Sequence, residues 1–326
     1  MNKTFFNTKF KKLESIIKEY KNFLLVIHPG PDADALGSSF SLKKYIESHS
    51  DKNALIYCVD EPSEELGALF NTKNITTTLQ IHDKDVIIIL DRGDVYHKLE
   101  IDKKVAKLKN PPKELVNIDH HPRTAIDKAL NIRTTTAAAT SEIIYSFFEY
   151  LKFDYSQIVS QYLLNGIYAD TGGFKHNNTS PEVLEIAGNL MRKGASISKI
   201  NRALFANKSL SALKLWGLAL DRAQVNKKTG MAVSFITKED LKKCNATSKD
   251  LTGLSEILNT ISEAKFSLML TEGDDNKIKA SLRSEEYKKI DVSKIAQSFK
   301  GGGHKLASGF EIEGSLHQTK DGWVIK

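Results

Sequence analysis

Short apolar runs alternating with helical patterns predict an α/β protein: a doubly wound, mainly parallel sheet domain, then a smaller C-terminal α/β domain, joined by a helical linker. Three observations carry this expectation. Apolar runs of strand length at residues 23–27, 54–59, 86–90 and 115–118 are interspersed with helical spacing in the first half of the chain. Three of these runs lead directly into His28, Asp91 and Asp119-His120-His121, which parallel strands would bring to one carboxyl edge. From Gly230 the pattern changes to alternating strands at 231–236, 265–271 and 277–282. The expected boundaries are 1–190 for the first domain, 191–225 for the linker and 226–326 for the second domain.

In chain order, the N-terminal residues read as an amphipathic helix with Leu13, Ile16, Ile17 and Tyr20 on one side, and they lack the apolar core and cleavage site of a signal peptide. The run at 23–27 suits a strand buried on both faces. After it, residues 28–37 read HPGPDADALG. Pro29 and Pro31 flank Gly30 in a fixed, non-helical turn that can aim His28, Asp32 and Asp34 into one small volume. Leu36, Phe40, Leu42, Tyr45 and Ile46 then recur at helical spacing, and Asp34 is placed to cap that helix. An imidazole and two carboxylates crowded together repel unless protons or a cation neutralise them, and the strand-end position favours a divalent metal.

The third run is followed by Asp91-Arg92-Gly93-Asp94, and the fourth by Asp119-His120-His121-Pro122 and a short strand at 129–133. Helical patterns cover 137–151, 155–169 and 181–193, the second ending at Asp170-Thr171-Gly172-Gly173-Phe174. Singly, Asp91 reads as a strand-end turn residue and Asp170 as a loop cap. Together, His28, Asp32, Asp34, Asp91, His120 and Asp170 form a set of nitrogen and oxygen donors without cysteine. Such a set suits Mn²⁺ foremost, with Mg²⁺ or Co²⁺ as substitutes. Six ligands, four of them carboxylates, exceed one tetrahedral zinc site and fit two metals sharing a bridging aspartate.

Composition bounds the rest. A chain of 326 residues with 40% hydrophobic and 27% charged side chains is long enough for about two soluble domains. No apolar stretch reaches the ~18 residues of a membrane span. Cys58 and Cys244 make no disulfide framework, and with the missing signal peptide they fit a cytoplasmic protein. The net charge of +7 is uneven: residues 1–190 carry 23 basic and 25 acidic side chains, 191–225 carry 7 and 1, and 226–326 carry 17 and 14. The basic stretch reads either as a solvated helix face or as a field drawing an anionic substrate towards a cleft between domains. It is too small and local for a long nucleic-acid track.

Residues 191–225 read as helices broken at Gly194, with Ser209 or Ser211 as caps. In the second domain, residues 274–276 read as a hairpin turn, and a helical 292–299 leads into Gly301, Gly302 and Gly303. The glycines join it to another short segment of helical pattern beginning near His304. They read as a flexible turn or as a place where backbone amides approach an anion. His304 and Lys305 would add donors, and Arg283, at a strand end, could clamp a phosphate. Lys305 reads equally as a solvent-exposed side chain.

The chain resembles the DHH family of phosphoesterases. The name-giving triplet stands at Asp119-His120-His121, the first motif at residues 28–38, the second at Asp91, and the fourth at Gly166-Ile-Tyr-Ala-Asp170-Thr-Gly-Gly-Phe174. Residues 301–310, GGGHKLASGF, resemble the glycine-histidine motif of the DHH-associated C-terminal domain. Among family members the chain is most similar to nanoRNase/pAp phosphatases and related cyclic-dinucleotide pathway phosphodiesterases. The resemblance implies that His28, Asp32 and Asp91 hold one metal and that Asp34, Asp91, His120 and Asp170 hold the other. His121 would face the substrate phosphate or leaving group, making Asp91, His120 and His121 the catalytic set. Asp119 would hold a ligand histidine. Arg92 stands where relatives often carry a small residue and reads as a phosphate contact or a surface salt bridge, and His28-Pro29-Gly30 departs from the commoner His-Xaa-Asn opening. Arg283, the three glycines and His304 would bind substrate.

The function implied is two-metal hydrolysis of short nucleotide phosphoesters, namely oligoribonucleotides or linear dinucleotides to mononucleotides, pAp to AMP, or both. Cyclic-dinucleotide hydrolysis and a catalytically silent nucleotide- or RNA-binding protein are the alternatives. An inorganic pyrophosphatase fits Arg283 and the glycine motif less well, and the extra domains of a RecJ-type exonuclease have no room. Family members often dimerise through the larger domain, which leaves a homodimer open, and no membrane partner is expected.

Overall fold

A computed structural model describes residues 3–326 except Gly93, Arg123, Thr252, His304 and the ranges 205–207, 274–275 and 320–321. His304 and most of the expected hairpin turn at 274–276 therefore lie outside the described residues. The chain forms two compact units, Met1–Leu204 and Phe205–Lys326.

The first unit runs α1 (Lys3–Glu19), β1 (Asn22–Val26), α2 (Ala33–Glu47), β2 (Asn53–Tyr57), α3 (Glu64–Gly67), β3 (Ile75–Thr76) and β4 (Val86–Leu90), then the short α4 (Val95–Lys98) and α5 (Ile101–Val105). It continues with β5 (Glu114–Asp119), β6 (Leu130–Arg133), α6 (Thr140–Leu151), α7 (Gln157–Asp170), α8 (Pro181–Arg192) and α9 (Ile197–Leu204). The six strands form one sheet in the order β3-β2-β1-β4-β5-β6, every pair parallel. Side chains alternate across a strand, and β1 serves two cores. Phe23 and Leu25 join the layer under α1, α2, α6, α7 and α8, while Leu24 and Val26 pack with Ile87, Ile89, Val95 and Ile101 on the opposite face. Burial on both sides is why these strands read as unbroken apolar runs.

β1 and β4 are neighbours from which the chain winds outward in opposite directions. Their carboxyl ends mark the topological switch point where open α/β sheets bind ligands. The loops from β1 and β4 deliver His28, Asp32 and Asp91 there, and β5, beside β4, delivers Asp119, His120 and His121.

Two local expectations change. Asp32, not Asp34, caps α2: its Oδ1 accepts from the backbone N–H of Asp34 at 3.0 Å and of Ala35 at 2.9 Å. Asp34 lies one residue inside the helix and is fully buried. The helix expected from 137 starts at Thr140, because the backbone at Ala139 is extended (φ −156°, ψ 155°).

The second unit runs α10 (Leu210–Asp221), β7 (Gln224–Asn226), β8 (Met231–Ile236), α11 (Lys238–Lys243), α12 (Leu254–Asn259), β9 (Phe266–Glu272), β10 (Lys277–Arg283) and α13 (Val292–Ser298). It ends with β11 (Gly302–Gly303), β12 (Ala307–Glu313), β13 (Leu316–Thr319) and β14 (Gly322–Ile325). Ser209 caps α10, accepting from Ala212 N at 3.0 Å. The sheet order is β11-β12-β10-β9-β8-β7, antiparallel throughout except for β8 with β9, and β13 and β14 form a separate hairpin. The segment after the glycines is a strand rather than a helix. Ser308 and Phe310 alternate inward and β12 pairs with β10 along its length, a tertiary pairing that overrides local pattern.

Candidate active site

Asp91 sits at the centre. It follows the all-buried β4, is 1% exposed, and adopts a left-handed backbone (φ 69°). For a non-glycine residue that conformation costs roughly 1–2 kcal/mol, and it turns the chain sharply at the strand end. The carboxylate then faces two ways. Oδ2 lies 3.6 Å from His28 Nε2, and Oδ1 lies 3.5 Å from His120 Nε2 and 3.7 Å from His121 Nδ1.

Around it, three groups have donor atoms within 4.8 Å of one another: His28, Asp32 and Asp91; Asp34, His120 and Asp170; and Asp91, His120 and His121. The structure thus gathers all six expected ligands and His121 at one sheet edge. Asp170 arrives from the last residue of α7, with Oδ2 3.2 Å from His120 Nε2.

Asp34 is fixed from outside its own helix. Its Oδ2 accepts from Thr140 N at 2.6 Å and its Oδ1 from Ser141 N at 2.8 Å, so the buried carboxylate caps the start of α6, where the N-cap residue Ala139 has no side-chain donor or acceptor to offer. Gly166 and Gly37 make room for this. A Cβ at Gly166 would stand 2.2 Å from Ser141 Oγ and 2.6 Å from Asp34 Oδ1, and one at Gly37 would stand 2.5 Å from Tyr162 O.

The titration of the cluster follows from its crowding. Burial, then the charges of Asp34 and Asp32, pushes the Asp91 carboxyl well above its usual value. Burial and Asp34 raise Asp170 to about 7. Burial disfavours the charged form of both histidines, yet the carboxylates outweigh it and raise His28 to about 11 and His120 to about 10. Protons therefore supply the positive charge that the four carboxylates require. A divalent cation fits the same demand, and one atom asks for it directly: His120 Nε2 is buried and makes no hydrogen bond, although two carboxylate oxygens lie within 3.5 Å. The donor set, oxygen and imidazole nitrogen without thiolate, suits hard or borderline divalent ions.

The remaining expected residues have specific partners. Asp119 Oδ1 accepts from His121 N at 2.8 Å and faces His121 Nδ1 at 3.0 Å, so the histidine it orients is His121 and not His120. Arg133 donates to His121 O at 2.8 Å and to Thr124 Oγ1 at 3.0 Å, tying down the loop after β5. Arg92 forks onto Asp94 at 3.2 and 3.4 Å, the local ion pair of its two readings. In the second unit, Arg283 Nε pairs with Glu256 Oε1 at 2.9 Å, and Lys305 pairs with Glu286 at 2.6 Å. Gly301 N donates to Ala296 O at 2.8 Å, while Gly302 and Gly303 pair with Gly309 and Ser308. A Cβ at Gly301 would meet Gly309 O at 2.3 Å, so close packing on β12 by itself demands glycine there.

Sequence reasoning missed Thr140, Asn178 and Glu142. Thr140 Oγ1 donates to Asp91 Oδ1 at 2.9 Å. Asn178 Nδ2 reaches Ala138 O at 3.2 Å and Asp170 O at 3.1 Å, and Ala138 N donates to Glu142 Oε2 at 2.7 Å. The hydroxyl pair Thr140-Ser141 was the available signal, but it became legible only once the helix start was known.

Comparison with known proteins identifies both domains. The family model "DHH family, N-terminal domain" matches residues 22–169 and the "DHHA1 domain" model matches 228–321. The bifunctional oligoribonuclease and PAP phosphatase NrnA of Bacillus subtilis is 28% identical over 91% of this chain and 91% of its own. An uncharacterised protein of Mycoplasma genitalium is 28% identical over 93% of this chain and 90% of its own. The crystal structure of an exopolyphosphatase-related protein from Bacteroides fragilis superimposes with a TM-score of 0.86 at 28% identity, covering 94% of this chain and 92% of that one. With its two matched domains, its parallel-sheet fold and its Asp/His cluster at the switch point, the chain belongs to the DHH family of metal-dependent phosphoesterases.

Proposed function

We propose that the protein hydrolyses short nucleotide phosphoesters with two divalent cations, Mn²⁺ foremost, cleaving oligoribonucleotides or linear dinucleotides to mononucleotides, pAp to AMP, or both. The observation that carries this reading is the divided Asp91 carboxylate, with Oδ1 towards His120 and Oδ2 towards His28. That arrangement suits a ligand shared by two ions, one with His28 and Asp32, the other with Asp34, His120 and Asp170. When bound, such ions supply Lewis acidity towards a phosphoryl oxygen and lower the pKa of water.

The chain's own residues set the conditions for that chemistry. The amides of Thr140 and Ser141 hold both carboxylate oxygens of the buried Asp34 in place. Asp119 ties down His121 Nδ1, so any hydrogen bond from His121 to the substrate or its leaving oxygen is made by Nε2. To hold a cation His28 and His120 would have to release their protons, so apparent affinity should rise with pH across the neutral range.

The names of the relatives support the nucleotide substrates: an oligoribonuclease and PAP phosphatase matches along nearly the whole chain. We assign catalysis to the first unit and substrate recognition to the second, through Arg283, Gly301, Gly302, Gly303 and His304. Arg283 is paired with Glu256, a half-exposed partner that a phosphate can displace. Turnover of pApA, pAp and a 20-mer RNA with Mn²⁺, products resolved by chromatography, tests the reading. We expect short substrates to be strongly preferred. Arg283→Ala should lose about 10–100-fold on pApA, the equivalent of a charge-assisted contact of ~1.5–3 kcal/mol, and far less on bis-p-nitrophenyl phosphate. Equal rates on the 2-mer and the 20-mer would refute the substrate assignment. Equal losses on both esters would make Arg283 a structural residue.

A further inference from the structure

We propose that Thr140 is a positioning residue for the shared aspartate, fixing the rotation of Asp91 so that each carboxylate oxygen is presented to a different cation. The inference rests on the two-cation reading above. The terminal torsion of an aspartate is soft and broad, so nothing intrinsic holds its two oxygens towards two separate donor groups. Asp91 Oδ1 is anchored by the Thr140 hydroxyl at 2.9 Å, and both residues are buried. Oδ2 has no comparable anchor among the described contacts; its near neighbour is His28 Nε2 at 3.6 Å.

Thr140 is itself held rigidly. It is the first residue of α6, its N–H donates to Asp34 Oδ2 at 2.6 Å, and its hydroxyl leaves its own helix to reach β4's end. The preceding turn is pinned from two sides, by Glu142 on Ala138 N at 2.7 Å and by Asn178 on Ala138 O at 3.2 Å. One residue thus touches both the buried Asp34, through its amide, and the shared Asp91, through its hydroxyl.

The consequence is specific to the second cation. A first ion can recruit either Asp91 oxygen by rotating the carboxylate. A second ion finds its oxygen in place only if that rotation is prevented. Removing a hydrogen bond that orients a ligand typically costs 10–100-fold in metal affinity.

The test is stepwise Mn²⁺ binding to metal-free protein, by calorimetry and by the electron paramagnetic resonance of free Mn²⁺, in wild type, Thr140→Val, Thr140→Ala and Thr140→Ser. The alanine variant removes the hydroxyl without placing a methyl against a carboxylate, so a valine variant that fails to fold does not decide the matter. We expect the second affinity to fall 10–100-fold in the valine and alanine variants while the first changes less than about threefold, and serine to restore both. Unchanged affinities in the hydroxyl-free variants, or a serine variant as impaired as alanine, would overturn the assignment alone. A wild-type protein that takes up no Mn²⁺ would overturn the two-cation reading and this assignment with it.

Discussion

At the scale of the residue, the site places two of its four carboxylates where water cannot reach them. Asp34 and Asp91 are 0% and 1% exposed, and each is held by donors from α6. Because Asp91 touches two donor groups, Asp91→Ala should abolish hydrolysis while leaving the fold intact. Retention of more than about a tenth of the wild-type rate, a barrier change under ~1.4 kcal/mol, would remove it from that role. Gly166 offers a different test. Alanine in a helix interior is ordinarily favoured over glycine by about 0.5–1 kcal/mol. Here the added carbon would stand 2.2 Å from Ser141 Oγ and 2.6 Å from Asp34 Oδ1, so the clash outweighs propensity. We expect Gly166→Ala to lower both the melting temperature and the activity; a variant more stable than wild type would contradict the packing. The carboxylates and histidines were legible in the sequence, since acidic residues and imidazoles crowded at strand ends require a neutralising charge. Their supports were not. Thr140 and Asn178 are ordinary polar residues until folding brings α6 and the loop after α7 beside β4.

At the scale of the element, legibility followed burial. The central strands read clearly because both faces are covered and nearly every residue is apolar, whereas the two-residue β3 gave no pattern to read. The helix cap at Asp32 instead of Asp34 was a competition between two good capping residues, decided by the prolines that set where the turn ends. After the glycine run, pairing of β12 with β10 decided for strand, and local pattern pointed the other way. In the second unit, α10 is tied to α11 by Arg222, whose guanidinium meets both oxygens of the buried Asp240, at 2.5 and 2.9 Å. Burial alone would raise the Asp240 pKa, but Arg222 and the donors of Thr237 overcome it and hold it near 2. A depressed carboxyl pKa stabilises the fold above its unfolded value of about 3.9 and loses that contribution as pH falls towards the folded one. Asp240→Asn should therefore destabilise the protein by roughly 1–3 kcal/mol at pH 7 and by much less near pH 2. Denaturant titrations at the two pH values check this; an equal penalty at both would mean the ion pair is not its source.

At the scale of the whole molecule, the order of parallel strands places the candidate chemistry. The switch between β1 and β4 opens a crevice, and the loops leaving β1, β4 and β5 fill it with donors. The second unit has a different sheet, with Arg283 at the end of β10 and Gly302 and Gly303 in β11. Among the described residues no helix is long and apolar enough to cross a membrane. The second sheet was legible from the change of pattern at Gly230. What substrate the second unit prefers was legible only as a class, because Arg283 and a glycine run suit many phosphorylated ligands. In the proposed two-cation mechanism, hydrolysis depends on divalent cations held by His28, Asp32, Asp34, Asp91, His120 and Asp170. Its most direct test is pApA turnover by protein stripped of metal, verified by elemental analysis, and then titrated with Mn²⁺. We expect no turnover in the stripped protein and recovery that saturates at two Mn²⁺ per chain; full turnover by the verified metal-free protein would contradict the claim.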